Sequence, residues 1–172
     1  MGIDINLPPE MQNSVICAIS AATQYEIPVN IFLAVVEQEG GKPGQYVKNK
    51  NGTYDIGPLQ FNTDYIKTLA KYNITFKDVE GLNDSCYPYY LAAWRIRLHI
   101  KNDKGSLFQK VANYHSKTHK FNLIYQNNLI KRSQKWDVWL SRLDIKIIKQ
   151  HQVKAVNNQK QYTPRTIQVS NE

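Results

Sequence analysis

The chain has 172 residues, 42% of them hydrophobic and 21% charged, which fits one globular domain with a sizeable core. Its longest apolar run, "IFLAVV" at 31–36, is far short of the roughly 18 residues that a bilayer-spanning helix needs. A formal net charge of +8 favours anionic partners, and nucleic acid, anionic lipid and cell-wall polymer all qualify; no nucleic-acid module signature is present, however, and the Lys and Arg residues are spread rather than clustered.

The start, "MGIDINLPPEM", lacks the basic-then-apolar order of a secretory signal, so the protein is either cytosolic or a form whose signal has been removed. Gly2 does not make a myristoylation start, because Asn6 stands where Ser or Thr is wanted. After an N-terminal segment, residues 1–9, apolar residues Val15, Ile16, Ala18, Ile19 and Ala22 recur at helical spacing and predict a helix from Glu10 to about Tyr25. Pro28 breaks it, and "VNIFLAVVEQE" restarts a helix that Gly40-Gly41 stops. Residues 41–60, with Pro43-Gly44 and "NKNG", read as a long loop or small β-hairpin.

Helical pattern returns in "NTDYIKTLAKY", with Asn62 or Thr63 as cap. A short turn around "TFKDVEGL" follows, then a broadly buried helix of about four turns in "SCYPYYLAAWRIRLHI". Ser106 is placed to cap "SLFQKVANYHS", and the chain runs on as "FNLIYQNNLIKRSQKWDVWL". The expectation is a mainly α domain over 10–149, followed at 150–172 by a basic tail rich in Gln, Asn and Lys.

Two acids stand out. Glu37 and Glu39 close an apolar helix, where the negative end of the helix dipole and partial desolvation both disfavour the carboxylate. That is how a general acid keeps its proton near neutral pH, and these considerations do not choose between the two. Cys17 and Cys86 lack CxxC spacing and are too few for a metal framework; two buried thiols and a disulfide both remain open. His99, His119 and His151 belong to no metal-binding pattern. Trp94, Trp136 and Trp139 lie at helical positions and read as packing residues rather than sugar platforms.

Three segments in order, "EGG" at 39–41, "NGTYDIGPLQFN" at 51–62 and "VANYHS" at 111–116, resemble the lysozyme-like lytic transglycosylases associated with conjugation and type IV or type III secretion. The resemblance runs from about Val15 to Tyr125 and implies a lysozyme-like α+β fold. It places Glu39 as the catalytic acid, with Glu37 a bystander. Gly57 and Gln60 match a Gly-x-x-Gln element, where Gly permits close approach of a glycan and Gln offers a donor and an acceptor to sugar groups. Asn62 matches the structural residue that caps the next helix, and Tyr114 and His115 are implied substrate-binding neighbours of Glu39. Gly40 stands where relatives have Ser, "GPLQ" replaces Gly-Leu-Met-Gln, and His115 replaces Asn; these look like traits of the conjugation-type branch. Cys17 and Cys86 resemble a cysteine pair of that branch, which implies a disulfide.

The implied reaction is cleavage of the β-1,4 bond between N-acetylmuramic acid and N-acetylglucosamine in peptidoglycan, with the muramyl C6 hydroxyl as internal nucleophile, a 1,6-anhydro product, and no metal or cofactor. A muramidase of the lysozyme type is the first alternative, with Asp55 as second carboxylate. A non-catalytic peptidoglycan-binding scaffold is the second. The implied partners are glycan strands and components of a secretion or conjugation apparatus, with no nucleic acid and no transmembrane segment. The implied setting is the bacterial periplasm or cell envelope, and a monomer is expected.

Overall fold

A computed structural model describes residues 9–142; the expected tail at 150–172, residues 143–149 of the expected domain, and all but the last residue of the segment 1–9 lie outside the described residues. In chain order the elements are α1 (Pro9–Gln24), α2 (Val29–Glu39), β1 (Tyr46–Lys48), β2 (Tyr54–Ile56), β3 (Phe61–Asn62), α3 (Thr63–Thr68), a 3-10 turn (Ala70–Tyr72), α4 (Phe76–Val79), α5 (Tyr87–Asn102), α6 (Leu107–Ala112) and α7 (His119–Leu140). This is a mainly helical, lysozyme-like α+β fold with one small antiparallel sheet. No described helix is long and apolar enough to cross a membrane.

The middle of α2 explains its central place. Ile31, Phe32, Leu33, Ala34 and Val35 are all buried, so consecutive residues face inward on every side and the helix must be surrounded. The carbonyl of Pro28 accepts the amides of Ile31 and Phe32 at its start, and Gly40, at φ 59°, closes its end in the left-handed region. Along one flank lies α7, whose buried residues Asn122, Tyr125, Leu129, Ser133 and Trp136 recur every three or four positions as one stripe. On the other side α1 packs against both α2 and α5, and the Cys17–Cys86 disulfide ties α1 to the start of α5.

The sheet has strand order β1-β2-β3 and is wholly antiparallel. A tight turn at Asn49–Gly52 closes the first hairpin, with the Gly52 amide on the Asn49 carbonyl at 3.0 Å. Ile56, Leu59 and Phe61 are fully buried and anchor the second and third strands in the core. The third strand, only Phe61–Asn62, goes beyond the loop or single hairpin expected at 41–60. It pairs Asp55 with Asn62 and Ile56 with Phe61.

Caps set the remaining elements. Asn62 accepts the Asp64 amide at 3.0 Å at the head of α3, and Ser106 accepts the Gln109 amide at 3.3 Å at the head of α6. Trp94 is half-buried with its ring edge-on to Tyr72, and Trp139 lies edge-on to the buried Trp136, so the tryptophans serve packing. The loop after α6 is braced by a polar cluster in which Asp103 accepts from His99, Asn113 and Lys117. Burial would raise the Asp103 carboxyl, but those three hydrogen bonds outweigh it and hold its pKa at about 2.

Candidate active site

The last turn of α2 delivers its two acids to different neighbours, because residues two apart on a helix point about 200° apart. Glu37 turns to α7, where it pairs with Arg132 and accepts the Trp136 indole N–H at 2.9 Å. Arg132 also donates to Gln38 at 2.8 Å. Glu39 turns the other way and accepts one hydrogen bond, from the Tyr125 hydroxyl at 2.5 Å. Burial pushes its pKa up to about 7; the Tyr125 bond opposes the rise, the negative charge of Asp55 adds to it, and the positive charge of Arg95 opposes it. Glu39 therefore has the proton-holding character of a general acid at neutral pH.

A small cavity of about 150 Å³ opens on this carboxyl, lined by Gln38, Glu39, His115, Phe121, Ile124 and Tyr125. His115 is exposed on one side and stacks on the other against the Tyr125 ring, at 4.8 Å and nearly parallel. Burial against that ring lowers the His115 pKa, and the charge of Asp55 acts in the opposite sense. Tyr114 is buried and donates its hydroxyl to the Leu59 carbonyl at 2.7 Å, which ties the "VANYHS" segment to the "GPLQ" turn. Its own pKa is raised well above the ordinary value, first by burial and then by the charge of Glu39.

Asp55 lies at the centre of β2, partly exposed, and accepts the Asn62 side-chain amide at 2.9 Å. The same Asn62 amide reaches Thr53, and its oxygen caps α3, so one side chain joins the helix cap to the carboxylate. The charge of Asp55 acts on both Glu39 and His115.

The Gly57–Gln60 turn is built for internal contacts. Gly57 has φ 70°, and a Cβ there would stand 2.1 Å from the Val79 carbonyl oxygen, so glycine is required by the packing of the chain itself. Gln60, also at positive φ, spends its side-chain N–H on the Gly57 carbonyl at 2.9 Å. Against this turn runs Gly41, whose added Cβ would stand 2.1 Å from the Gly57 carbonyl oxygen and 2.5 Å from Gln60 Nε2.

The structure thus brings Glu39, Asp55, Tyr114 and His115 together and sets Gly57, Gln60 and Asn62 in the scaffold beside them, while Cys17 and Cys86 are bonded elsewhere, between α1 and α5. Two members of the site carry no signal in the sequence. Tyr125 falls on the apolar stripe of α7, where periodicity marks it only as core, and Arg95 is one of several basic residues on α5. Among the described residues no three His, Cys, Asp or Glu side chains gather as a metal set.

Fold and site together define a lysozyme-like α+β domain with a partly buried acid at the end of its central helix and, on a small sheet, a carboxylate whose charge acts on it. The chain is similar to the invasion protein IagB of Salmonella typhimurium, strains SL1344 and LT2, and of Salmonella typhi, at 31% identity over 78 residues. That match takes in 45% of this chain and 48% of each relative, so it spans about half the length of the curated relatives. No protein-family model matches the chain.

Proposed function

We propose that the protein is a peptidoglycan lytic transglycosylase of the cell envelope that opens the wall locally for a secretion or conjugation apparatus. The observation that carries this reading is Glu39: a sheltered carboxyl with a pKa of about 7 and one hydrogen-bond partner, at the mouth of a cavity. Such a group can protonate the oxygen bridging N-acetylmuramic acid and N-acetylglucosamine. The carboxylate left behind then takes the proton of the muramyl C6 hydroxyl as that oxygen bonds to C1, closing a 1,6-anhydro ring. One acid/base residue suffices because the nucleophile is part of the substrate, whereas ordinary glycosidases use a flanking pair. Tyr125 fixes the carboxyl's orientation, and His115 and the Gln60 side-chain oxygen stand ready for sugar hydroxyls.

The likeness to an invasion protein supports a role in secretion, and the Cys17–Cys86 disulfide supports an oxidising compartment such as the periplasm. A basic chain, at net +8, suits an anionic wall polymer. Asp55 favours a second reading, a lysozyme-type muramidase: its charge acts on Glu39, and in that reading it would assist a water or an oxocarbenium-like centre.

Incubation with purified sacculi and mass analysis of the soluble muropeptides separates the readings. The expected products are lighter by one water; reducing ends identify a muramidase, and absence of release identifies a binding protein. Glu39→Gln is expected to lose release at least about 1000-fold, as removal of a sole acid/base demands, while still sedimenting with sacculi. Wild-type release by that variant would remove Glu39 from its role.

A further inference from the structure

Arg95, midway along α5, is held in an unusual way. Its guanidinium carbon lies 3.8 Å from the centre of the Tyr65 ring and 4.6 Å from that of Tyr114, a cation over two aromatic faces. Both rings are fixed, since Tyr65 stacks on Phe61, and Tyr114 meets Phe61 edge-on while its hydroxyl is bound to Leu59. Arg97 and Arg132 have carboxylate partners, Glu26 and Glu37. Among the described residues half-buried Arg95 has none, so its charge is not cancelled locally.

Tyr125 on α7 bonds Glu39 and His115 lines the same cavity; Tyr114, next to His115 in the chain after α6, carries the Arg95 guanidinium of α5 against its ring, and the charges of Asp55 on β2 and of Arg95 both act on Glu39. Asp55 and Arg95 are the charged ones and they act in opposite senses. When Glu39 gives up its proton, the new carboxylate lies in a sheltered site with Asp55 opposing it. Arg95 is the one cation in this set.

We infer that Arg95 is a positioning residue of the reaction: clamped between Tyr65 and Tyr114 with no carboxylate of its own, its guanidinium supplies the positive field in which Glu39 becomes a carboxylate during bond cleavage. The inference rests on the transglycosylase reading. In the first half-reaction the Glu39 O–H bond breaks, its proton passes to the bridging oxygen, and that oxygen leaves C1 with the bonding pair. In the second, the C6 oxygen bonds to C1 and its proton returns to Glu39. Arg95 keeps its own proton throughout. The two rings hold the guanidinium in place while its charge stays unneutralised, which is preorganisation for a charge that develops only during the reaction.

The test is the pH profile of muropeptide release from sacculi by the wild-type protein, Arg95→Met and Arg95→Lys. For Arg95→Met the expected result is a plateau rate lower by about tenfold, in kcat rather than KM, and an alkaline limb moved to higher pH by about one unit, the order expected for one charge acting through protein. Arg95→Lys, which keeps the charge, is expected to stay close to the wild-type profile. An unmoved alkaline limb in Arg95→Met, a loss confined to KM, or an Arg95→Lys profile as altered as that of Arg95→Met overturns the inference. If Arg95→Met does not fold, Arg95→Gln is measured against the same criteria. Absence of release by the wild type would instead overturn the transglycosylase reading, and titration of Glu39 by carbon NMR in wild type and Arg95→Met then decides the role of Arg95: a higher pKa in the variant sustains it and an equal one overturns it.

Discussion

Glu37 and Glu39 carry the same functional group two residues apart on one helix, and the partners each meets make them chemically different. Both feel the negative end of α2, so the sequence alone left them equivalent until the resemblance singled out Glu39. What separates them physically lies 86 to 99 residues downstream, where Tyr125 takes one acid and Arg132 and Trp136 take the other. No local pattern announces a contact at that distance. The pKa of Glu39, raised to about 7 from the ordinary 4.5, has two consequences. Release should be level below pH about 7 and fall about tenfold per unit above it. Tyr125→Phe removes a hydrogen bond that favours the carboxylate, so its alkaline limb should move to higher pH. Because the folded protein holds this proton to a higher pH than the unfolded chain, the stability it contributes is whole below about 4.5 and is lost as pH rises through about 7, by about 3 kcal/mol in total. Thermal melts at pH 5 and pH 8 should therefore show Glu39→Gln gaining on the wild type at the higher pH; an equal difference at both would refute the burial argument.

At the scale of elements, the parts with local punctuation were legible. Pro28 and Gly40 bound α2, Asn62 heads α3 and Ser106 heads α6, each because a backbone group at a helix end needs a partner or a special φ. The third strand was not, since two residues show no alternation and their pairing with β2 is decided by burial of Ile56 and Phe61. The contact that joins helix to sheet is equally silent in sequence. Gly41 runs against the Gly57–Gln60 turn, and its backbone is not at positive φ, so its need for glycine is purely steric. Gly41→Ala should force the turn away from the end of α2. The expected cost is about 1–3 kcal/mol by urea unfolding, the usual range for overpacking, together with a fall in release greater than the stability loss explains, because Gln60 moves relative to Glu39. Unchanged stability would mean that the loop gives way more easily than its backbone contacts suggest.

Across the whole molecule, the site sits where the end of a surrounded helix meets a small sheet, and the helices behind it must stay in register for that meeting to hold. Helix α1 packs on both α2 and α5, and the Cys17–Cys86 bond closes a separation of 69 residues across that layer. Neither the spacing nor the composition told a disulfide from two thiols; the resemblance did, because burial of a cysteine looks the same in either state. A cross-link over such a loop contributes roughly 4 kcal/mol in the chain-entropy model, a large part of the 5–15 kcal/mol typical of a domain. Cys17→Ala/Cys86→Ala should accordingly unfold at markedly lower urea concentration. At temperatures where it remains folded, however, its pH profile of release should match that of the wild type, since neither cysteine belongs to the group facing Glu39. The bond would then act on how long the geometry around Glu39 survives and not on how the acid works. A variant with unchanged urea midpoint, or with a displaced alkaline limb, would show that the link between α1 and α5 reaches the site in a way that the packing of α2 does not convey.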